Sequence, residues 1–194
     1  MNWGVVTGDI CDIQCDAVVN AANTTLLGGG GVDGAIHDAA GPELRRYIEK
    51  NVPVLGDDRI DPTAKIRCEY GMAITTPSFG MKNCKAIIHT VGPIWMGGGH
   101  AEVNTLLKCY YSCLDSALAH GFKSVAFPSI STGCFHFPPS LAVELATFAV
   151  KRWLGEHDDA IRAVFVAHDD ETYYEYESMM KFRKGANENY RKKI

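Results

Sequence analysis

The sequence runs to 194 residues, 46% of them apolar and 22% charged, the proportions of an ordinary globular chain with room for one domain and a sizeable core but not for two full domains. A formal net charge of −4 and a pI near 6.0 argue against a binder of nucleic-acid backbones, which needs clustered Lys and Arg to release counterions; the only basic cluster is Arg191 to Lys193, a solvated tail end. No run of about 18 apolar residues is present, and Met1 to Val6 lack the charged start and apolar stretch of a signal peptide, so a cytoplasmic location without membrane contact is expected.

In chain order, Trp3 to Val6 and Asp16 to Asn20 are short β-branched runs read as strands, followed by a loop of small residues and glycines up to Gly31. A helix is expected from about Asp33. Gly41-Pro42 breaks it and starts the next, since Pro suits a first helical turn. Residues 51–69 read as an irregular polar connection. Two further strands are predicted at Met72 to Thr75 and Ala86 to Val91. After Gly97-Gly98-Gly99, an amphipathic helix carries Val103, Leu106, Leu107, Tyr110, Leu114, Ala117 and Leu118 and stops at Gly121. Val125 to Pro128 gives a further strand, residues 139–154 a helix ending at Gly155, Ala163 to Ala167 a last strand, and Glu171 to Arg183 a last helix. Strands alternating with helices predict a mostly parallel sheet covered on both faces. In such folds ligands bind outside the carboxyl ends of the strands, the edge to which loops 20–33 and 128–137 belong.

Seven cysteines, an odd count, in a reducing compartment do not suggest a disulfide framework. Cys11 with Cys15 and Cys109 with Cys113 have the spacing of zinc half-sites. Cys109 and Cys113 lie in a strongly helical apolar stretch, where small buried hydrophobes are the simpler reading, and no metal site is expected.

Gly28 to Gly31 run through Val32 and Asp33 directly into a helix, which places bare backbone N–H groups and the positive end of a helix dipole where an anion could approach. The alternative is a flexible turn. Gly29, Gly31 and Gly34 satisfy G-x-G-x-x-G, but the stretch from Asn20 to the first glycine is too long for a Rossmann turn, and the absence of a following Lys-Ser/Thr excludes a P-loop. Ser129 to Phe135 combines hydroxyls, a glycine and an aromatic ring after a strand. It could wrap a diphosphate from the opposite side, with Phe135 offering a flat face to a sugar, or it could be a capped loop with a core phenylalanine. Asn20 and Asn23 can donate and accept at once, as a ribose or a held water requires, though Asn pairs also serve turns. Asp33 is both a helix-start residue and the only acid inside the glycine loop. His37, one turn later on the same face, could orient that carboxylate or be packed and structural.

These segments resemble the macro domain family, specifically its MacroD-type ADP-ribosyl hydrolases, through GDI at Gly8 to Ile10, DAVVNAAN at Asp16 to Asn23, LLGGGGVDGAIHDAAGPEL at Leu26 to Leu44, IIHTVGPIW at Ile87 to Trp95 and AFPSISTG at Ala126 to Gly133. The motifs follow one another along nearly the whole chain, so the resemblance implies one macro domain over residues 1–194: an α/β three-layer α/β/α sandwich with a mixed central sheet and an ADP-ribose cleft at one end. It further implies that Asp9, with the backbone of Ile10, reads the adenine, that the strand end Ala167 to Asp170 borders it, and that Gly30, Gly31, Val32 and Asp33 face Ser131, Thr132, Gly133, Cys134 and Phe135 around the diphosphate and distal ribose. Asn20 and Asn23 would hold that ribose, and Asp33 would position an attacking water with help from a diphosphate oxygen. Cys134, His136 and Ala64 depart from the residues usual at their positions, an aliphatic residue and two glycines.

The activity implied is removal of ADP-ribose from Asp or Glu side chains of mono-ADP-ribosylated proteins, together with deacetylation of O-acetyl-ADP-ribose, with no cofactor and no nucleic-acid partner. The alternative is a reader module that binds ADP-ribose without turnover. A phosphatase acting on ADP-ribose 1″-phosphate would share the binding residues and be told apart by phosphate release. A nicotinamide dehydrogenase fails on the shape of its first loop.

Overall fold

A computed structural model describes residues 2–58, 61 and 63–191, with side chains described up to residue 180. Lys192 to Ile194, and with them most of the basic cluster, lie outside the described residues. Six strands form one sheet: β1 (Trp3–Thr7), β2 (Ala17–Ala22), β5 (Ala73–Pro77), β6 (Ala86–Val91), β7 (Ser124–Phe127) and β8 (Arg162–Ala167), in the order β1-β8-β7-β2-β6-β5. All neighbours are parallel except the edge strand β5, which runs antiparallel to β6. The sheet is therefore mixed.

Crossovers between the parallel strands are supplied by helices. Helices α1 (Gly31–Ala40) and α2 (Pro42–Asn51) cover one face, and α3 (Glu102–Ala119), α4 (Pro139–Glu156) and α5 (Asp170–Arg191) the other, which completes the three layers. Strand β6 is buried at every residue because helices cover both its faces, so its run of apolar residues lacks the alternation of a half-exposed strand. One core cluster gathers Val19, Ile88, Phe127, Tyr110 and Phe165 beneath α3 and α4. The other gathers Val18, Ile87, Ile36, Leu44 and Ile48 beneath α1 and α2.

Among the boundaries that differ from the sequence reading are those of three helices. Helix α1 begins at Gly31, two residues before Asp33, because glycines tolerate the unusual entry: Gly31 has φ 59°. Helix α4 continues through Gly155, held by the Arg152–Glu156 pair and by His157, whose ring stacks on Trp153 at 3.9 Å between centroids. Helix α5 runs on to Arg191. The stretch 51–69 contains a small antiparallel ribbon of β3 (Gly56–Asp57) and β4 (Lys65–Ile66). Pairs of residues carry no period, so that ribbon left no pattern to read. No helix among the described residues is long and apolar enough to cross a membrane.

Candidate functional site

Two adjoining cavities open at the carboxyl ends of the parallel strands. The first, about 220 Å³, is lined by Ala21 to Asn23, Gly29 to Asp33, Gly92 and the loop residues Ser129, Ser131 and Gly133 to Phe135. The second, about 540 Å³, is lined by Gly8 to Ile10, Ala35, Val166, His168, Asp169 and Thr172. Both share Gly31, Val32, Ser129 and Gly133. A single elongated cleft results, pinched where the two glycine-bearing loops face each other.

At the pinch, backbone donors converge. The N–H groups of Gly31, Val32 and Asp33 open helix α1 with no partner among the described residues, as the first turn of any helix leaves them. The N–H groups of Thr132 to Phe135 are equally free among the described residues. Among the described residues, no Lys or Arg lines either cavity. An anion here would be held by backbone dipoles and the positive end of α1.

Loop 128–137 keeps its shape through bonds of its own. Thr132 Oγ1 donates to the Ser129 carbonyl at 3.0 Å, Phe137 N–H to the Ser131 carbonyl and His136 N–H to the Gly133 carbonyl. Ser131 and His136 take left-handed backbone conformations, φ 67° and 54°, which are uncommon for residues with a side chain and cluster at functional sites. At His136 this is the conformation a glycine would adopt freely. Cys134 is exposed on the cavity rim. Trp95 N–H donates to the Phe135 carbonyl at 2.8 Å, so the segment after β6 fixes the far wall.

That segment is itself pinned by Glu102, a buried carboxylate accepting backbone N–H bonds from Met96, Gly98 and His100. Burial pushes its pKa up, but those donors and its own N–H outweigh burial and hold it at about 2. The carboxylate is thus a fixed anion that shapes the loop. Glu102 and Gly92 were not picked out from the sequence. Gly92 follows β6 where a Cβ would stand 2.0 Å from Ser131 Oγ and 2.7 Å from Ile130 Cγ2, so only a bare backbone lets the two loops meet. A glycine directly after the run AIIHTV was the available signal.

The acid of the site is Asp33, with only 4% of its surface exposed. Its Oδ1 accepts from Asn20 Nδ2 at 2.7 Å and lies 3.6 Å from His37 Nε2, too far for a hydrogen bond. Its Oδ2 has no hydrogen-bond partner among the described residues. Burial raises the Asp33 pKa above the usual carboxyl value, against the lowering effects of the Asn20 bond and His37.

Asn23 lines the cavity with its amide held on three sides. Its Oδ1 accepts from Thr25 N–H and Thr25 Oγ1, and its Nδ2 donates to the Gly28 carbonyl, which leaves one N–H to offer. A Cβ on Gly29 would stand 3.1 Å from Asp33 Oδ2 and 3.3 Å from Asn23 Nδ2. The carboxylate oxygen and the amide donor therefore flank the same bare backbone.

Asn20 is placed differently from the sequence expectation that it holds a ribose. It is fully buried and behind the cavity wall, with its amide turned to Asp33 and to His89. Asp9, Ile10 and Thr132 stand in the larger cavity, Asp9 with one carboxylate oxygen already committed to Cys11 N–H at 2.8 Å. Strand β8 delivers Val166, His168 and Asp169 to the same wall. Cys109 and Cys113 are buried in α3 as small apolar side chains.

The comparisons agree with this geometry. The family model for the macro domain matches residues 19–146. An O-acetyl-ADP-ribose deacetylase of Salmonella gallinarum is 44% identical over 168 residues, 87% of this chain and 88% of that protein. The structure of a variant Oceanobacillus iheyensis macrodomain with ADPR superposes with a TM-score of 0.81 at 33% identity, covering 94% of each chain. A Trypanosoma brucei macrodomain in complex with ADP-ribose gives a TM-score of 0.77 at 34% identity, covering 92% of this chain and 69% of that one. Sheet order, cleft position and sequence likeness all lead to one assignment: the chain belongs to the macro domain family.

Proposed function

We propose that this chain is a hydrolase of ADP-ribose esters, releasing acetate from O-acetyl-ADP-ribose and ADP-ribose from Asp or Glu side chains of mono-ADP-ribosylated proteins. The observation that carries the proposal is the Asp33 carboxylate, fixed through one oxygen by Asn20 and free of partners among the described residues at the other, in the wall of the smaller cavity. A module that only binds needs no such oxygen.

In this reading the adenine occupies the larger cavity beside Asp9 and Ile10. The diphosphate lies at the pinch between Gly30 to Val32 and Thr132 to Cys134, and the distal ribose enters the smaller cavity against Phe135, Ser131 and Asn23. Water attacks the ester, a C–O bond breaks, and the products are ADP-ribose and a carboxylate. Asp33 Oδ2, with a diphosphate oxygen of the substrate, accepts a hydrogen bond from that water and takes up its proton as the new bond forms. A carboxylate is a weak base at neutral pH, so much of the acceleration comes from holding water and ribose in reactive geometry. Burial strengthens Asp33 as a base by raising its pKa.

The test is to incubate the purified chain with O-acetyl-ADP-ribose and, separately, with a protein carrying ADP-ribose on glutamate, following acetate and free ADP-ribose. Release from both is expected. Tight binding of ADP-ribose with no release from either makes the chain a reader, and release of acetate alone restricts it to the small substrate.

A further inference from the structure

We propose that His89 is a positioning residue for Asp33: it fixes the direction of the Asn20 amide, and the amide holds the carboxylate. This rests on the hydrolase reading above for its kinetic consequence, but its geometry stands apart from it.

The sheet register sets up the arrangement. Asn20 on β2 pairs directly with His89 on β6, both side chains are fully buried, and both point toward the α1 face. Asn20 Nδ2 lies 2.7 Å from Asp33 Oδ1 and 3.0 Å from His89 Nδ1, so its two N–H bonds are both in use. On the other side of the ring, His89 Nε2 is 2.9 Å from Thr76 Oγ1 on β5, and that hydroxyl donates to the Pro77 carbonyl at 3.2 Å.

With the Asn20 amide turned as the structure places it, its Oδ1 buried and without a partner among the described residues, the proton assignment of His89 follows from these contacts. A nitrogen that faces an N–H₂ group must be the acceptor, so Nδ1 is bare and the ring proton sits on Nε2, donated to Thr76. The direction then runs outward from Asn20 both ways, to Asp33 and, through His89, to Thr76 and Pro77. Turning the amide over would set its oxygen against the Asp33 carboxylate and against Nδ1, two acceptor–acceptor contacts in a buried place. Protonating Nδ1 would force that turn. Burial, with His37 beside it at 6.2 Å between ring centroids, keeps the ring neutral by lowering its pKa to about 3. The titratable groups in this cluster are Asp33 and His37 on α1 and His89 on β6, while β2 and β5 contribute the neutral Asn20 and Thr76.

The closing experiment combines the side-chain ¹⁵N spectrum of wild-type His89 with kinetics of His89→Leu, His89→Asn and Thr76→Val on O-acetyl-ADP-ribose. Expected are a bare Nδ1 and a protonated Nε2 throughout the neutral and mildly acidic range. In His89→Leu, kcat falls roughly tenfold to a hundredfold, as a displaced catalytic group predicts, while KM and ADP-ribose affinity change little. The acid limb of kcat moves to higher pH, because a carboxylate that loses the Asn20 N–H keeps its proton longer. His89→Asn, which can present an oxygen near the position of Nδ1, recovers most of the rate, and Thr76→Val loses less than His89→Leu. A proton found on Nδ1, or a His89→Leu enzyme with unchanged kcat and acid limb, overturns the proposal. If His89→Leu does not fold, the ¹⁵N assignment and the Thr76→Val kinetics decide. A wild type that hydrolyses nothing refutes the hydrolase reading alone; the tautomer and the ¹³C titration of Asp33 with and without His89 still judge the positioning role.

Discussion

Asp33 is the residue at which stability and chemistry oppose each other. Ionising a buried carboxyl costs the folded chain what it does not cost the unfolded one, and its pKa is accordingly raised from 3.8. The sign follows from linkage: with the folded value above the unfolded one, stability at this position declines as pH rises from about the unfolded value through the folded one, and is constant beyond it. Asp33→Asn removes the cost and can still accept from Asn20. Its melting temperature should match wild type below pH 3.8, exceed it increasingly as pH rises, and then hold a constant lead, as differential scanning calorimetry across pH would show. Equal melting temperatures at every pH would mean that burial does not strain this group. Gly92 carries the opposite kind of constraint, one of space. A Cβ placed 2.0 Å from Ser131 Oγ must push the second loop away from the cleft, so Gly92→Ala should destabilise the fold by about 1–3 kcal/mol, the usual cost of overpacking. It should also weaken ADP-ribose binding measured by calorimetry, because the donors of Thr132 to Phe135 move with the loop.

At the scale of elements, the site exists because β2, β6 and β7 run parallel to the same edge of the sheet and each is followed by a loop carrying glycine or left-handed residues. The long periodic helices α3 and α4 and the apolar run of β6 were legible in the sequence, as were both cleft loops, since a strand run followed by glycines and hydroxyls is a local signal. Residues acting across the sheet were less so. His89 reads as one more residue in AIIHTV, and its contact with Asn20 depends on the β2–β6 register, which no local pattern specifies. Asn20 was expected at the ribose and stands behind the wall instead, because it lies deeper along the chain than Ala21, Ala22 and Asn23, the residues of this segment that line the cavity. Glu102 sits in the first turn of α3. Its work on Met96, Gly98 and His100 appears only once the Gly97 to Gly99 loop is folded back.

For the whole molecule, the net charge of −4 and a cleft lined, among the described residues, by neither Lys nor Arg set an unusual condition for a ligand bearing a diphosphate. Attraction must come from oriented N–H groups at short range rather than from a positive surface. Affinity for ADP-ribose should therefore change little between low and high salt, in contrast to a site built on cationic side chains. Calorimetric titrations across salt concentrations check this, and a steep loss of affinity with salt would place the diphosphate against charges elsewhere on the chain.

The most direct measurement is turnover of O-acetyl-ADP-ribose by wild type and Asp33→Ala side by side, with ADP-ribose binding measured on both. The variant should bind ADP-ribose within a few-fold of wild type, since the backbone cradle is untouched, while kcat drops by roughly a hundredfold or more, the upper part of what a positioned base and its held water contribute. A variant that turns over at the wild-type rate would remove Asp33 from the chemistry and with it the central claim.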